Sequence, residues 1–225
     1  MICGPGNIFV TIAKKMVYGM VNIDGLAGPT ETLIIADETA NPVLCAADLL
    51  GQAEHDILAT PVLVTTEENL IPAIENQIKE QIDKLTNKST AKLSIERRGV
   101  IVVVKNVEDA IHLANSYAPE HLCLMIKEPR SVLDSVKNAG AIFLGENSPE
   151  VMGDYIAGPS HVMPTGGTAR FNSYLGVTQF IRRSPVVELD GRVSPNLYKT
   201  ASILSRAEGF DAHARSVELR LESDV

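Results

Sequence analysis

Thr30-Glu31-Thr32-Leu33-Ile34-Ile35-Ala36-Asp37 leads into Asn41-Pro42-Val43-Leu44-Cys45-Ala46-Ala47-Asp48-Leu49-Leu50-Gly51-Gln52-Ala53-Glu54-His55-Asp56, and Thr60-Pro61-Val62-Leu63-Val64-Thr65-Thr66 follows. The first run has the length and aliphatic content of a buried strand, and so does the third. Between them, Asn41 is a good helix N-cap and Pro42 suits the first helical position. Val43, Leu44, Ala46, Ala47, Leu49 and Leu50 form a mostly apolar body, which predicts a buried helix. The helix closes on a polar cluster in which Gln52 and His55, three apart, share a face. The macrodipole at that end favours a cation. Glu-x-x-His is a known metal-ligand spacing on helices, but here the first member is an amide, a weaker ligand. A polar helix end and a metal site both remain open for this pair.

Working outward, the same alternation recurs. Strands are expected at 99–104, 121–126 and 141–145, and helices at 8–18, 67–85, 107–116 and 129–139. Met1-Ile2-Cys3 reads as the end of a strand whose upstream partners are absent, and it runs into the turn Gly4-Pro5-Gly6-Asn7. Residues 22–29 are a loop. Strands alternating with helices predict an α/β fold with a mostly parallel sheet. After Gly145 the pattern gives way to a long stretch, 146–180, rich in Gly, Pro, Ser and Thr, where a functional or a disordered loop is expected. A helix follows at 194–207 and another short element at 211–221, forming a tail set apart from the sheet and able to dock elsewhere, including on a partner chain.

The chain has 225 residues, of which 45% are hydrophobic but only 4% aromatic, with no Trp. It therefore carries a substantial but aliphatic core. A net charge of -8 without a long basic run argues against nucleic acid or an anionic membrane as partner. No apolar run approaches membrane-spanning length, and the N-terminus lacks a secretion-signal pattern. Cys3, Cys45 and Cys123 are odd in number, widely spaced and each in an apolar setting. They read as reduced core thiols of an intracellular protein.

Several groups could carry chemistry. In Tyr117-Ala118-Pro119-Glu120-His121, a proline-fixed turn sets a carboxylate and an imidazole side by side at a strand's start. They could divide acid-base work, or form a solvated pair on a turn. Gly153-Asp154 and Gly158-Pro159-Ser160-His161 lie in the long stretch as ligands, substrate contacts or plain turn residues. Glu208 and His213 add a carboxylate and an imidazole near the C-terminus, where a solvated tail is the alternative. Gly4-Pro5-Gly6-Asn7 could offer backbone N–H groups to a phosphate, although Phe9 stands where a dinucleotide fingerprint needs its third glycine.

Taken together these motifs resemble the histidinol dehydrogenase family. The resemblance is carried by Gly4-Pro5-Gly6-Asn7, by Asp24-Gly25-Leu26-Ala27-Gly28-Pro29-Thr30-Glu31, and by the segment from Ala46 to His55. It continues through Tyr117 to Leu122, Gly153-Asp154-Tyr155, His161-Val162-Met163-Pro164-Thr165, and Ala212-His213. Order and spacing match over essentially the whole chain. The family's chains are about twice as long, and the half absent here would precede Met1 and hold much of the cofactor-binding region. Thr30 replaces the family's usual serine, keeping a hydroxyl and adding a methyl.

The resemblance implies an incomplete Rossmann-like sheet with flanking helices and a C-terminal helical tail. Residues 1–29 would be a remnant of the cofactor-binding domain, 30–180 the main α/β domain, and 181–225 a tail reaching the partner subunit of a homodimer. One zinc would be held by Gln52, His55, Asp154 and His213. L-histidinol would chelate it, with Thr30, Gln52, His55, His121, Asp154, His161, Glu208 and His213 lining the pocket. Two NAD-dependent oxidations, alcohol to aldehyde to carboxylate, would follow. His121, with a pKa near neutrality, would be the base, and Glu120 would activate water. Asn7 would contact NAD. The protein would work in the cytoplasm, in histidine biosynthesis. Two other classes are a dimerising zinc- and histidinol-binding module with little turnover, and a zinc hydrolase using the same ligands without NAD.

Overall fold

The computed structural model describes residues 1–189 and 194–222. The chain divides into two compact units, Met1–Ile181 and Arg182–Val225.

The first unit is built on five parallel strands, β1 (Glu31–Ala36), β2 (Thr60–Thr65), β3 (Val100–Val103), β4 (His121–Met125) and β5 (Ala141–Leu144), in the order β3-β2-β1-β4-β5. β1 is central because it carries the strongest buried run: Leu33, Ile34, Ile35 and Ala36 are fully buried. Its Leu33 stands opposite Val62 of β2 and Leu122 of β4. Side chains alternate across the sheet, so each strand supplies two cores. On one face Leu33, Ile35, Val62, Val64, Leu122 and Leu124 pack under Ala110, Ile111 and Ala114 of α5 (Val107–Tyr117). On the other, Ile34, Ala36, Leu63, Cys123 and Met125 pack under Cys45, Ala46 and Leu49 of α2 (Pro42–Ala53) and Ile74 of α3 (Ile71–Ile82). Coverage on both faces is what an all-parallel sheet requires. The Rossmann-like α/β architecture expected from the sequence is therefore present.

The remaining helices are α1 (Ile8–Val17), α4 (Lys88–Arg98) and α6 (Glu150–Tyr155), with α7 (Pro195–Ala207) and α8 (Asp211–Glu222) in the second unit. There, Gly209 adopts a left-handed φ of 81° and ends α7. The Phe210 N–H reaches the Ser205 carbonyl and the Gly209 N–H the Arg206 carbonyl, which is the Schellman pairing. Arg206 then ties the hairpin through Glu218 (2.8 Å) and Asp211 (2.9 Å).

Several expectations are corrected. Met1 to Cys3 forms no strand; Ile2 makes a single bridge to Ile23. Cys3 is exposed, while Cys45 and Cys123 are buried thiols. α2 stops at Ala53, so His55 sits beyond its C-cap, Glu54, in a turn closed by the His55 N–H on the Gln52 carbonyl. The expected helix at 67–85 is a 3-10 turn followed by the shorter α3. The segment 129–139 is helical only as a 3-10 turn over Pro129–Ser135. α4 was not foreseen, because it buries only Ala91 and Ser94 and so shows no apolar stripe. α6 interrupts the long stretch assigned to a loop, with Glu150 facing inward where acids are not expected.

Candidate functional site

The polar groups singled out from sequence gather at the edge of the sheet where β1 and β4 begin. These strands are neighbours, with Thr32 opposite His121, so Thr30, Glu31, Glu120 and His121 emerge side by side. α2 runs back against the strands and delivers Gln52 to the same edge.

Glu120 and His121 are not solvated: they are 7% and 4% exposed. α5 ends with Ala118 in the left-handed region, φ 58°, which turns the chain into β4. Next to it, Gly140 lies so close that a Cβ there would stand 2.6 Å from the Glu120 carbonyl oxygen. Only glycine permits that approach.

The Glu120 carboxylate accepts from the Thr30 hydroxyl (2.6 Å) and the Glu31 N–H (3.1 Å). Burial raises its pKa above the usual carboxylate range, against the lowering influence of His121 and these hydrogen bonds. The His121 Nδ1 pairs with the Glu31 carbonyl at 3.1 Å. If Nδ1 carries the donated proton, the ring is fixed and Nε2 is the working atom. Nε2 is buried without a hydrogen-bond partner and lies 3.8 Å from Asp154 Oδ1. The ring also packs on Phe143, centroids 5.9 Å apart.

Burial alone would push His121 down, but Asp154, Glu150 and Glu120 outweigh it and hold its pKa up at about 9. The near-neutral value expected for the ring is thus corrected upward, because three carboxylates favour its charged form. Conversely, Asp154 is held below the ordinary aspartate value, first by His121 and also by the charges of His55 and His161.

Gln52 is 2% exposed. Its amide is satisfied when the NH2 donates to Glu150 Oε1 (2.8 Å) and the oxygen accepts from the Glu31 N–H (3.2 Å), beside the Thr30 hydroxyl. Glu150 is a group that sequence reasoning missed. It is 5% exposed, accepts from the Thr32 hydroxyl, and has a pKa raised to about 7 by burial. Its signal was its position one helical turn before Asp154, visible only once α6 is known to be a helix. Glu31 was also missed; its Oε1 accepts from the Gly166 N–H at 3.2 Å, while its Oε2 is buried and unpartnered.

The structure thus brings together Thr30, Gln52, Glu120, His121 and Asp154, with the charges of His55 and His161 bearing on Asp154. Glu208 and His213 belong to the second unit, at the C-cap of α7 and in α8, where His213 packs against Phe210. Asn7 caps α1, accepting from the Phe9 and Val10 N–H groups. Its turn is pinned by the buried pair Lys14–Asp24 (2.6 Å), whose Asp24 also accepts from the Gly4 N–H. Among the described residues, no group of three or more His, Cys, Asp or Glu side chains converges to hold a metal ion. The donors available to one at this edge are the ionised Asp154, the Gln52 amide oxygen and the exposed His55. They suit zinc by type, and a further donor is needed to complete a site.

The family model for histidinol dehydrogenase matches residues 1–221. The chain is 48% identical to histidinol dehydrogenase of Dehalococcoides mccartyi strain CBDB1 over 221 residues, 98% of this chain and 51% of that protein. Against the enzyme of Thermus thermophilus it is 51% identical over 219 residues, 97% of this chain and 53% of that one. The crystal structure of histidinol dehydrogenase from Elizabethkingia anophelis superposes with a TM-score of 0.93 at 38% identity, covering 98% of this chain and 51% of that chain. The chain spans about half the length of the curated relatives it matches. With its fold, its clustered Thr30, Glu120, His121 and Asp154, and these likenesses agreeing, the chain belongs to the histidinol dehydrogenase family, whose members are oxidoreductases.

Proposed function

We propose that this chain carries the substrate-oxidising site of a histidinol dehydrogenase, converting L-histidinol through histidinal to L-histidine in the cytoplasm. The observation that supports it most is the buried chain of contacts from Thr30 through Glu120 and His121 to Asp154. In it a carboxylate with a raised pKa adjoins an imidazole whose buried Nε2 is directed at Asp154.

Each oxidation removes a hydride from the substrate's CH–OH carbon and a proton from its hydroxyl. His121, in its neutral form, takes that proton at Nε2, and Asp154 stabilises the imidazolium that results. Between the two oxidations, Glu120 accepts a proton from the water that adds to the aldehyde, with Thr30 holding the carboxylate in place. NAD would supply the hydride acceptor, and zinc, where held, would supply orientation of the substrate. Asp154, His55 and Gln52 would hold the zinc, with His213 as the fourth ligand. His161 and Glu208 would line the pocket, and Asn7 would touch NAD. In a homodimer, the second unit would supply Glu208 and His213 to the partner's site.

Elemental analysis of purified protein tests the metal set. The wild-type chain is expected to carry stoichiometric zinc and His55→Ala to lose it; metal retained in that variant contradicts the assignment. One other reading, favoured by the donor types of Gln52, His55 and Asp154, is a zinc- and histidinol-binding module. Histidinol binding by calorimetry without NADH formation would support that instead.

A further inference from the structure

We propose that Glu150 is a positioning residue that decides which end of the Gln52 amide faces the site. The proposal rests on the metal reading above for its consequence, but not for its geometry. Glu150 opens α6 and points into the protein, 5% exposed. The hydrogen-bond donors around it are neutral: the Thr32 hydroxyl, the Cys123 thiol (3.9 Å) and the Gln52 amide (2.8 Å). The charge of His121 bears on it, but a carboxylate kept inside with only neutral hydrogen-bond partners is unfavourable for folding. Its retention needs a different reason.

An amide is nearly symmetric in shape but opposite in polarity at its two ends. With the Gln52 NH2 on Glu150, the oxygen meets the Glu31 N–H and lies beside Thr30, toward the site. Turned over, the amide would set its oxygen against the Glu150 oxygen and its NH2 against the Glu31 N–H. Both contacts would then be repulsive, leaving the NH2 only the Thr30 oxygen as an acceptor. In its ionised form Glu150 only accepts, so it holds the donor end inward and leaves the oxygen outward. An outward oxygen can ligate a cation; an outward NH2 cannot. The residue acts through Gln52 and touches neither substrate nor metal. Its helix also carries Asp154 one turn later, so one short element sets two of the site's oxygens.

The test uses the full chain with Glu150→Gln, whose side chain can accept or donate and so no longer specifies the amide. Zinc affinity, measured by chelator competition, is expected to fall about 10- to 100-fold. Adding Gln52→Glu should restore it, since a carboxylate presents oxygen either way. In the zinc-free wild-type chain, NMR should show the Gln52 side-chain NH2 protons close to Glu150, and that proximity should disappear in Glu150→Gln. A folded Glu150→Gln chain with zinc affinity within twofold of wild type, or a double variant without recovery, overturns the proposal. So do Gln52 NH2 protons close to Thr30 in the wild-type chain, a measurement that stands even if the variant does not fold. A wild-type chain that binds no zinc would overturn the metal reading alone, and the NMR result would still decide the orientation.

Discussion

Asp48 is a charge the fold disfavours, and Thr30 is a donor it uses. Burial raises the Asp48 carboxyl from 3.8 to about 6. The native state therefore binds more protons than the unfolded chain between those values, and stability falls as pH rises through that window. Asp48→Asn should stabilise the chain by roughly 1–2 kcal/mol at pH 8, after allowing for its partial exposure, and leave it near wild type at pH 4. Urea melts at the two pH values check this. Thr30 donates to Glu120. Thr30→Val should cost about 1–3 kcal/mol of stability and impair activity, because a buried carboxylate loses a donor. Thr30→Ser should keep both, read by the same melts with a parallel rate assay. At this scale the sequence made the residue types legible. Glu120, His121 and Asp154 were all visible as candidates. Their electrostatics were not: the elevated His121 pKa comes from Asp154, Glu150 and Glu120, and Glu150 reaches the site only through packing.

At the scale of elements, legibility followed amphipathic pattern and caps. Asn41 and Pro42 announced α2, and the Asn41 side chain does accept from the Val43 N–H. Leu33 to Ala36 announced β1. The aliphatic run at 99–104 is a strand as expected, β3, and it lies on the sheet's edge with most of its residues exposed. α4 and α6 escaped because one lacks an apolar stripe and the other is six residues long with a glycine inside. The join of β4 and β5 depends on one close approach. Gly140→Ala would force a methyl group onto the Glu120 carbonyl, so it should destabilise by about 1–3 kcal/mol. It should also lower histidinol turnover more than zinc content. A variant with wild-type melting and turnover would show that the strands separate there at no cost.

For the whole molecule, open α/β sheets ordinarily bind ligands outside the carboxyl ends of their strands. Here the candidate groups stand at the opposite edge, where β1 and β4 begin. Nothing in the strand pattern foretold this; the matched motifs did, since they flank the strand starts. Among the described residues no helix is long and apolar enough to cross a membrane. The second unit, with Glu208 and His213, forms its own helical hairpin. The account's central claim is that the Thr30–Glu120–His121–Asp154 edge oxidises histidinol, and NADH absorbance reads it directly. The purified full chain, supplied with zinc, NAD and histidinol, should form two NADH for each histidine produced, and His121→Ala should keep its zinc but form none. An absence of NADH from the wild-type chain, or undiminished formation by His121→Ala, would contradict it.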